Sequence, residues 1–162
     1  MDMIFPKMTL SSVSKSFKAS VANPVRAKKP VNKVLDISIL VPVMNEAGNI
    51  RPLIDEICNV MAGRQFEIIY VDDASDDATA EELLEILGNV PQLRVLRHTK
   101  RAGQSAAIRS GLLQANGTLI GVLDGDGQNV PTDFPALEAA VTYASKDGAM
   151  VMAAGIRQRR ND

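Results

Sequence analysis

Residues 37–71 read ISILVPVMNEAGNIRPLIDEICNVMAGRQFEIIYV and contain a strand–helix–strand unit that sets the fold. The two ends of this stretch, residues 37–43 and 66–71, are short apolar runs rich in β-branched side chains, which predict buried strands. Between them, apolar residues recur at helical spacing, at Ile50, Leu53, Ile54, Ile57 and Met61. This order of elements is typical of two parallel strands joined by a helix.

The same alternation of strand and helix patterns continues along the rest of the chain. We predict further strands at residues 93–96, 118–123 and 149–153. Helical spacing of small and apolar residues predicts helices in three further segments, which are marked by Ala80, Leu83, Leu84 and Leu87, by Gln104, Ala107, Ile108, Gly111, Leu112 and Ala115, and by Phe134, Leu137, Val141 and Ala144. Strands that are apolar throughout imply a mostly parallel sheet covered by helices on both faces, so the expected fold class is α/β.

Charge divides the 162-residue chain into two parts. Residues 1–35 contain seven Lys or Arg and one Asp, whereas residues 36–162 contain 11 basic and 18 acidic residues. We therefore expect a basic N-terminal arm with little fixed structure at 1–35 and one domain at 36–162. A solvated tail, a tail attracted to anionic lipid and an organelle transit peptide all remain open for the arm.

Several classes of protein are excluded by composition and motif. One cysteine, Cys58, and one histidine, His98, rule out a disulfide framework and zinc sites built from Cys and His. A formal net charge of −1 gives no indication of a nucleic-acid partner. The first strand is followed by neither a dinucleotide-binding glycine motif nor a Walker A motif. We expect His98 to be a surface or strand-end residue rather than a catalytic one, and Asp76 and Asp77 to cap the following helix.

Acidic residues follow the strands, where ligands of parallel sheets bind. Asp72 and Asp73 come after the second strand, and Asp124 and Asp126 come after the fourth in a turn that contains glycine. Acids gathered at one edge repel each other unless a cation neutralises them, and hard oxygen ligands suit Mg²⁺ or Mn²⁺. Such a cation takes phosphate oxygens of a substrate as further ligands, and arginines 157, 159 and 160 would contact the same phosphates.

Five sequence motifs occur in order along the chain. They are VPVMNE at 41–46, VDDASD at 71–76, AGQSAA at 102–107, LDGDGQ at 123–128 with Pro131, and GIR at 155–157. Together they resemble the motifs of the family 2 glycosyltransferases of GT-A fold. The similarity is to the dolichol-phosphate mannosyltransferase-like group, which includes bacterial undecaprenyl-phosphate glycosyltransferases, and it runs from about residue 37 to residue 162.

On the nucleoside side, the resemblance implies a binding site for a nucleotide-sugar donor. Pro42, Met44 and Glu46 would border the nucleoside, and Val71 and Asp73 would contact the base. The family usually has an aromatic residue where Met44 stands.

On the diphosphate side, the resemblance implies a metal-assisted site. Asp124, Gly125 and Asp126 would lie at the ribose and diphosphate, and Asp124, Asp126 and Gln128 would hold Mg²⁺ or Mn²⁺. Arg157 would contact the phosphates of the donor, so Asp126 and Arg157 are the expected catalytic residues.

The activity implied is an inverting, metal-dependent transfer of a sugar from a GDP-sugar or UDP-sugar to dolichyl or undecaprenyl phosphate. Such enzymes work at the cytoplasmic face of a membrane, so we expect a cytoplasmic chain with peripheral membrane contact. A phosphate acceptor is already ionised near neutral pH and needs no general base. Transfer to a sugar hydroxyl in polysaccharide assembly and a non-catalytic nucleotide-sugar-binding fragment remain alternatives. Family members continue past residue 162, so we expect a sheet that is incomplete at its C-terminal side.

Overall fold

The computed structural model describes residues 3–6, 35–145 and 151–155. A 3-10 turn at Pro131–Asp133 leads directly into the last helix. In chain order the other elements are β1 (Met3–Pro6), β2 (Ile37–Val43), α1 (Ile50–Val60), β3 (Phe66–Asp72), α2 (Thr79–Leu87), β4 (Leu93–Arg97), α3 (Gln104–Gln114), β5 (Leu119–Val122), α4 (Phe134–Ala144) and β6 (Ala153–Ala154).

The strands form one sheet of mostly parallel strands in the order β4-β3-β2-β5-β1-β6. β2 pairs in parallel with β3 on one side and with β5 on the other, and β3 pairs in parallel with β4. β1 is antiparallel to both of its neighbours, β5 and β6. The predicted α/β class and mostly parallel sheet are confirmed.

Helices cover both faces of the sheet, and β2 and β3 are therefore buried along their whole length. On one face, α1, α2 and α4 enclose a cluster that includes Ile39, Ile54 and Phe134. On the other face, α3 packs on a smaller cluster that includes Leu40, Val71 and Ala107. A sheet buried on two faces explains why its central strands read as continuous apolar runs.

The structure differs from the expectation for the arm at Met3–Pro6, which form β1 within the sheet. β1 lies next to β5 in the sheet, and Ile4 in this strand is completely buried. Residues 7–34 lie outside the described residues, so the rest of the arm stays a prediction. The strand expected at 149–153 is a two-residue strand at Ala153–Ala154, and residues 146–150 are likewise outside the described part.

A buried acid fixes the C-terminal end of α3. The Glu67 carboxylate on β3 accepts hydrogen bonds from Ser38 Oγ at 2.7 Å, Arg94 Nη1 at 2.7 Å and the Asn116 backbone N–H at 2.6 Å. Arg94 Nη1 also donates to the carbonyl of Gln114 at 2.7 Å, at the last residue of α3. These bonds tie the helix to the amino ends of the central strands. Within the described ranges, no helix is long and apolar enough to cross a bilayer.

Candidate functional site

The carboxyl ends of β4, β3, β2 and β5 lie side by side, because these four neighbouring strands are parallel. The chain runs from β2 to β3 and β4 on one side, while β5 lies on the other side of β2. The strand order therefore reverses direction at β2, and α/β sheets bind their ligands at the carboxyl ends of the strands beside such a reversal. The segments that meet at this edge are 44–49, 73–78, 98–103 and 123–130.

Pro42 lies where β2 and β5 separate. The ladder between these strands ends at the pair Leu40 and Val122, and the Leu123 N–H donates to the Leu40 carbonyl at 3.0 Å. Val43 faces β3, since its carbonyl accepts the Asp73 N–H at 2.9 Å. By alternation Pro42 faces β5, on the side where its missing N–H is not needed.

Gly125 passes against the end of β2. A Cβ atom at this position would lie 2.4 Å from Val43 Cγ1 and 3.4 Å from the Pro42 carbonyl oxygen. Val43 is β-branched and buried, so it has little freedom to move away. Glycine is therefore required here, and it brings Asp124 and Asp126 on either side of it close to the strand end.

The segments after β2 and β3 are joined by reciprocal hydrogen bonds. The Asn45 N–H donates to Ser75 Oγ at 3.0 Å, while Asn45 Nδ2 donates to Asp76 Oδ1 at 2.7 Å and the Asp76 N–H donates back to Asn45 Oδ1 at 3.0 Å. Asn45 and Ala74 both have positive φ, at 59° and 60°. Asn adopts this conformation readily, whereas for Ala74 it is strained, and such strain is concentrated at functional sites.

Asp77, which lies just before α2, also joins the segments that follow β2 and β3. Asp77 Oδ1 accepts the N–H of Thr79, the first residue of α2, at 3.0 Å, and Asp77 Oδ2 accepts the Ala47 N–H at 3.2 Å. The hydrogen bonds from Thr79 are the main reason that the pKa of Asp77 lies below its ordinary value. Asp77 therefore accepts one free N–H at the start of α2 from the position before the N-cap residue, Ala78. The Asp76 carboxylate instead accepts from Asn45 and Arg101.

Asp73, the residue expected to contact the base, is nearly buried and accepts three donors. His98 Nδ1 lies 2.6 Å from its Oδ1, and the N–H groups of Ala102 and Gly103 donate to the carboxylate at 2.9 Å and 2.7 Å. Burial pushes the pKa of this carboxyl upward, but the hydrogen bonds from His98, Ala102 and Gly103 together outweigh it, so the pKa is lowered. Asp73 is therefore ionised at neutral pH.

His98 is buried, so its expected surface position is wrong, although it does directly follow β4. Its Nδ1 faces Asp73, and its Nε2 lies 2.8 Å from the hydroxyl of Ser110 on α3. These partners lie 25 and 12 residues away along the chain, which is why no local pattern revealed them. Because both ring nitrogens have partners, His98 is not placed to take a proton from a substrate.

Asp124 is held by two side-chain amides. Gln104 Nε2 donates to its Oδ1 at 2.9 Å, and Asn129 Nδ2 donates to its Oδ2 at 3.2 Å. Gln104 is the first residue of α3, and its neighbour Gly103 donates to Asp73. Adjacent residues thus connect Asp73 and Asp124, and the structure brings these two expected site residues together at one edge.

Asp126 and Gln128 lie beyond Gly125 in the same turn, and Gln128 is exposed. Asp126 Oδ1 accepts the backbone N–H of Gln128 at 3.0 Å, in the turn that contains Gly127 at a φ of 70°. Within the described residues, no group of three or more His, Cys, Asp or Glu side chains could hold a metal. The carboxylate and amide oxygens of Asp124, Asp126 and Gln128 are of the ligand type that Mg²⁺ and Mn²⁺ take, and their expected role in holding a metal stays a prediction.

The remaining expected site residues differ in accessibility. Pro42 and Val71 are buried, Glu46 is half-buried, and Met44 is 44% exposed at the edge. Arg157, expected at the donor phosphates, lies outside the described residues and stays a prediction. The structure adds three residues to the expected site: His98, Ser110 and Gln104. Of these, only Gln104 lies in one of the five sequence motifs, AGQSAA at 102–107.

An open depression of about 440 Å³ lies on α4 and is lined by Pro135, Glu138, Ala139, Thr142 and Tyr143. Its one carboxylate, Glu138, is already paired with Arg64 through bonds of 2.5 Å and 2.7 Å. This surface lacks the convergent polar groups found at the strand ends.

Comparison with known proteins shows the family of the chain. Residues 38–162 match the sequence profile of the family described as glycosyl transferase family 2. The chain is 31% identical over 146 residues to a dodecaprenyl-phosphate galacturonate synthase of Rhizobium johnstonii, covering 88% of this chain and 42% of that protein. It is 35% identical over 111 residues to a dolichol-phosphate mannosyltransferase of Pyrococcus furiosus, covering 68% of this chain and 31% of that protein.

A solved structure shares the fold. A mannosyltransferase from Pyrobaculum calidifontis, in complex with GDP-Man and Mn²⁺, superposes with a TM-score of 0.55 at 27% identity, covering 67% of this chain and 34% of the other. The chain thus spans less than half the length of each of these relatives.

Proposed function

Because the chain belongs to glycosyl transferase family 2, we propose that it transfers a sugar from a nucleotide-sugar donor to a polyprenyl phosphate. Both curated relatives are named for sugar transfer to a polyprenyl phosphate, and the solved mannosyltransferase holds GDP-Man and Mn²⁺. The observation that carries the proposal is the connection of Asp73 and Asp124 through Gly103 and Gln104 at the edge where α/β sheets bind ligands.

We assign the nucleoside to the edge of the sheet at the ends of β2 and β3. Met44 and Glu46 would border it, with Pro42 and Val71 forming the buried floor. Asp73 would offer its carboxylate to a donor group of the base. Its Oδ2 accepts the Gly103 N–H at 2.7 Å. The Ala102 N–H is shared between Oδ1 at 2.9 Å and Oδ2 at 3.1 Å. Oδ2 therefore retains capacity for one further hydrogen bond.

The diphosphate would lie over the turn that contains Gly125. Breaking the bond between sugar and diphosphate develops negative charge on the leaving group, and positive charge placed there in advance lowers the barrier. A divalent cation held by Asp124, Asp126 and Gln128 would supply that charge. Arg157 is proposed to contact the same phosphates.

An ionised phosphate acceptor attacks the sugar directly, with inversion, and needs no side chain to remove a proton. The site agrees with this chemistry, because His98 is occupied by Asp73 and Ser110. A sugar hydroxyl acceptor would normally require a general base within hydrogen-bonding reach. Within the described residues His98 is thus not available as that base, and the names of both relatives support a phosphate acceptor.

We further propose peripheral contact with the cytoplasmic face of a membrane, where polyprenyl phosphates are held. The seven basic residues of segment 1–35 support this proposal, since each Lys or Arg near an anionic surface contributes about 1 kcal/mol.

A transfer assay tests the function. The chain is incubated with Mn²⁺, a radiolabelled GDP-sugar or UDP-sugar and undecaprenyl or dolichyl phosphate, and label is counted in the organic-extractable lipid. We expect lipid product from the unaltered chain and from Asp133→Asn, an exposed acid outside the site, and none from Asp126→Asn. Label in an aqueous oligosaccharide would indicate a hydroxyl acceptor instead, and nucleotide binding without transfer would indicate a binding unit.

A further inference from the structure

The start of α3 joins the two acids to which the proposed function assigns the base and the diphosphate. The Gly103 N–H donates to Asp73 Oδ2 at 2.7 Å, and Gln104 Nε2 donates to Asp124 Oδ1 at 2.9 Å. Gly103 has a φ of 91°, a conformation that favours glycine, and it precedes the first residue of the helix. One short segment therefore holds one oxygen of each carboxylate, Asp73 Oδ2 and Asp124 Oδ1.

We propose that the start of α3 is a positioning element for the donor site, in which Gln104 orients Asp124 while His98 and Ser110 orient Asp73. This inference rests on the proposed function, because it assigns to these side chains the task of fixing the two acids before a nucleotide sugar binds. Gln104, His98 and Ser110 act through the acids and do not themselves contact the donor.

At the Asp73 end of this element the side chains are almost completely buried, which restricts their movement. The side chains of His98 and Asp73 are only 5% and 6% exposed. An ionised carboxylate is an acceptor only, so the 2.6 Å contact requires a proton on His98 Nδ1. The hydroxyl of Ser110 can donate to Nε2 of a neutral imidazole or accept from a charged one, so the ring is held in either state.

The helix that carries Gln104 is itself fixed at two other points. Gly111 packs closely on β2 and β3, since a Cβ there would lie 3.2 Å from Leu40 Cδ2 and 3.3 Å from Val71 Cγ2. At the far end, Arg94 binds the Gln114 carbonyl. Because α3 cannot shift along the sheet, loss of the Gln104 side chain changes the orientation of Asp124 and leaves the helix in place.

Replacement of Gln104 tests the Asp124 side of the proposal. Calorimetry on the full chain measures the affinity of GDP and of UDP, each with Mn²⁺, for the unaltered protein and for Gln104→Ala. The matched control is Gln114→Ala, an exposed glutamine at the other end of the same helix. We expect Gln104→Ala to weaken binding by about tenfold, as is typical when the partner of a metal ligand is removed, with Tm and the control unchanged. A Gln104→Ala affinity within about twofold of the unaltered chain would overturn the proposal.

Replacement of His98 tests the Asp73 side. His98→Asn keeps a donor near Asp73, whereas His98→Ala removes it, and hydrogen exchange monitors the amides of Ala102 and Gly103 in both. We expect faster exchange and weaker nucleotide binding in His98→Ala, with recovery of both in His98→Asn. Where His98→Ala does not fold, Ser110→Ala takes its place, because it removes only the Nε2 partner. Unchanged amide exchange and affinity in the folded variants would overturn the positioning role.

The two proposals fail in different ways. If the unaltered chain binds neither GDP nor UDP with Mn²⁺, the proposed function fails, and the inference fails with it. If the unaltered chain binds one of them and the Gln104 and His98 variants bind equally well, only the inference fails.

Discussion

Substitution of Gly125 by alanine tests how closely the Asp124 turn depends on the end of β2. The added Cβ would lie 2.4 Å from Val43 Cγ1, whereas ordinary contacts between carbon atoms are about 3.5–4.0 Å. The turn must therefore move by about 1 Å. Asp124 and Asp126 flank this position, so both candidate metal ligands would move with it.

Two consequences of this shift are measurable. A misplacement of about 1 Å in a positioned group can lower activity by about 100-fold, and we expect a comparable loss of nucleotide affinity in the presence of Mn²⁺. Overpacking costs about 1–3 kcal/mol of stability, with a fall in Tm of about 2–4 °C for each kcal/mol in a chain of this size. Calorimetry with GDP or UDP and a thermal melt measure the two effects.

Two further variants make the test specific. Gly88→Ala is the matched control, because no atom lies within 4 Å of its added Cβ and its φ of −72° suits alanine. Val43→Ala combined with Gly125→Ala removes the atom that causes the overlap, so we expect binding to recover partly relative to Gly125→Ala alone. Wild-type affinity and Tm in Gly125→Ala, or no recovery in the double variant, would refute this reasoning.

Four further predictions follow from the contacts and charges of the chain. Glu67→Gln should lower the free energy of unfolding by about 3 kcal/mol in urea denaturation, because Arg94 loses its carboxylate partner in a buried network. Tyr70→Phe should raise that free energy by about 1 kcal/mol, since the Tyr70 hydroxyl is buried without a hydrogen-bond partner among the described residues. The pKa of Asp73 in the folded protein lies below its unfolded value of about 3.9. Its carboxylate therefore stabilises the fold above that pH, and this stabilisation is lost as the pH falls further. Asp73→Asn should accordingly flatten the fall in Tm below about pH 4. Replacing the basic residues of segment 7–34 by serine should reduce sedimentation with anionic liposomes, and equal sedimentation would discard the membrane role of this segment.

The elements with strong local patterns were predictable from the sequence. The strand predicted at 37–43 coincides with Ile37–Val43, because each residue of this strand is buried and the run is almost entirely apolar. The helical stripe of Ile50, Leu53, Ile54 and Ile57 is the buried face of α1. These features depend on residues close together in the chain, and their alternation was sufficient to indicate a parallel sheet.

The features that the sequence did not reveal depend on distant partners. Met3–Pro6 pair with Leu119–Val122 across more than 100 residues, and a run of four residues before a basic segment carries no local signal of that pairing. His98 looked unsupported because Asp73 and Ser110 are brought to it only by the fold. The family resemblance indicated residues at the strand ends, but the hydrogen bonds that hold Asp73 and Asp124 required side-chain geometry.

Paramagnetic line broadening by Mn²⁺ is the most direct test of a single donor site at the strand ends. If Asp73 and Asp124 serve one nucleotide, trace Mn²⁺ added together with GDP or UDP broadens the backbone amide signals of residues 102–104 and 124–128, and omitting the nucleotide greatly weakens the effect. Broadening centred on α4, or on neither of these segments, would contradict the claim that the two acids belong to one site.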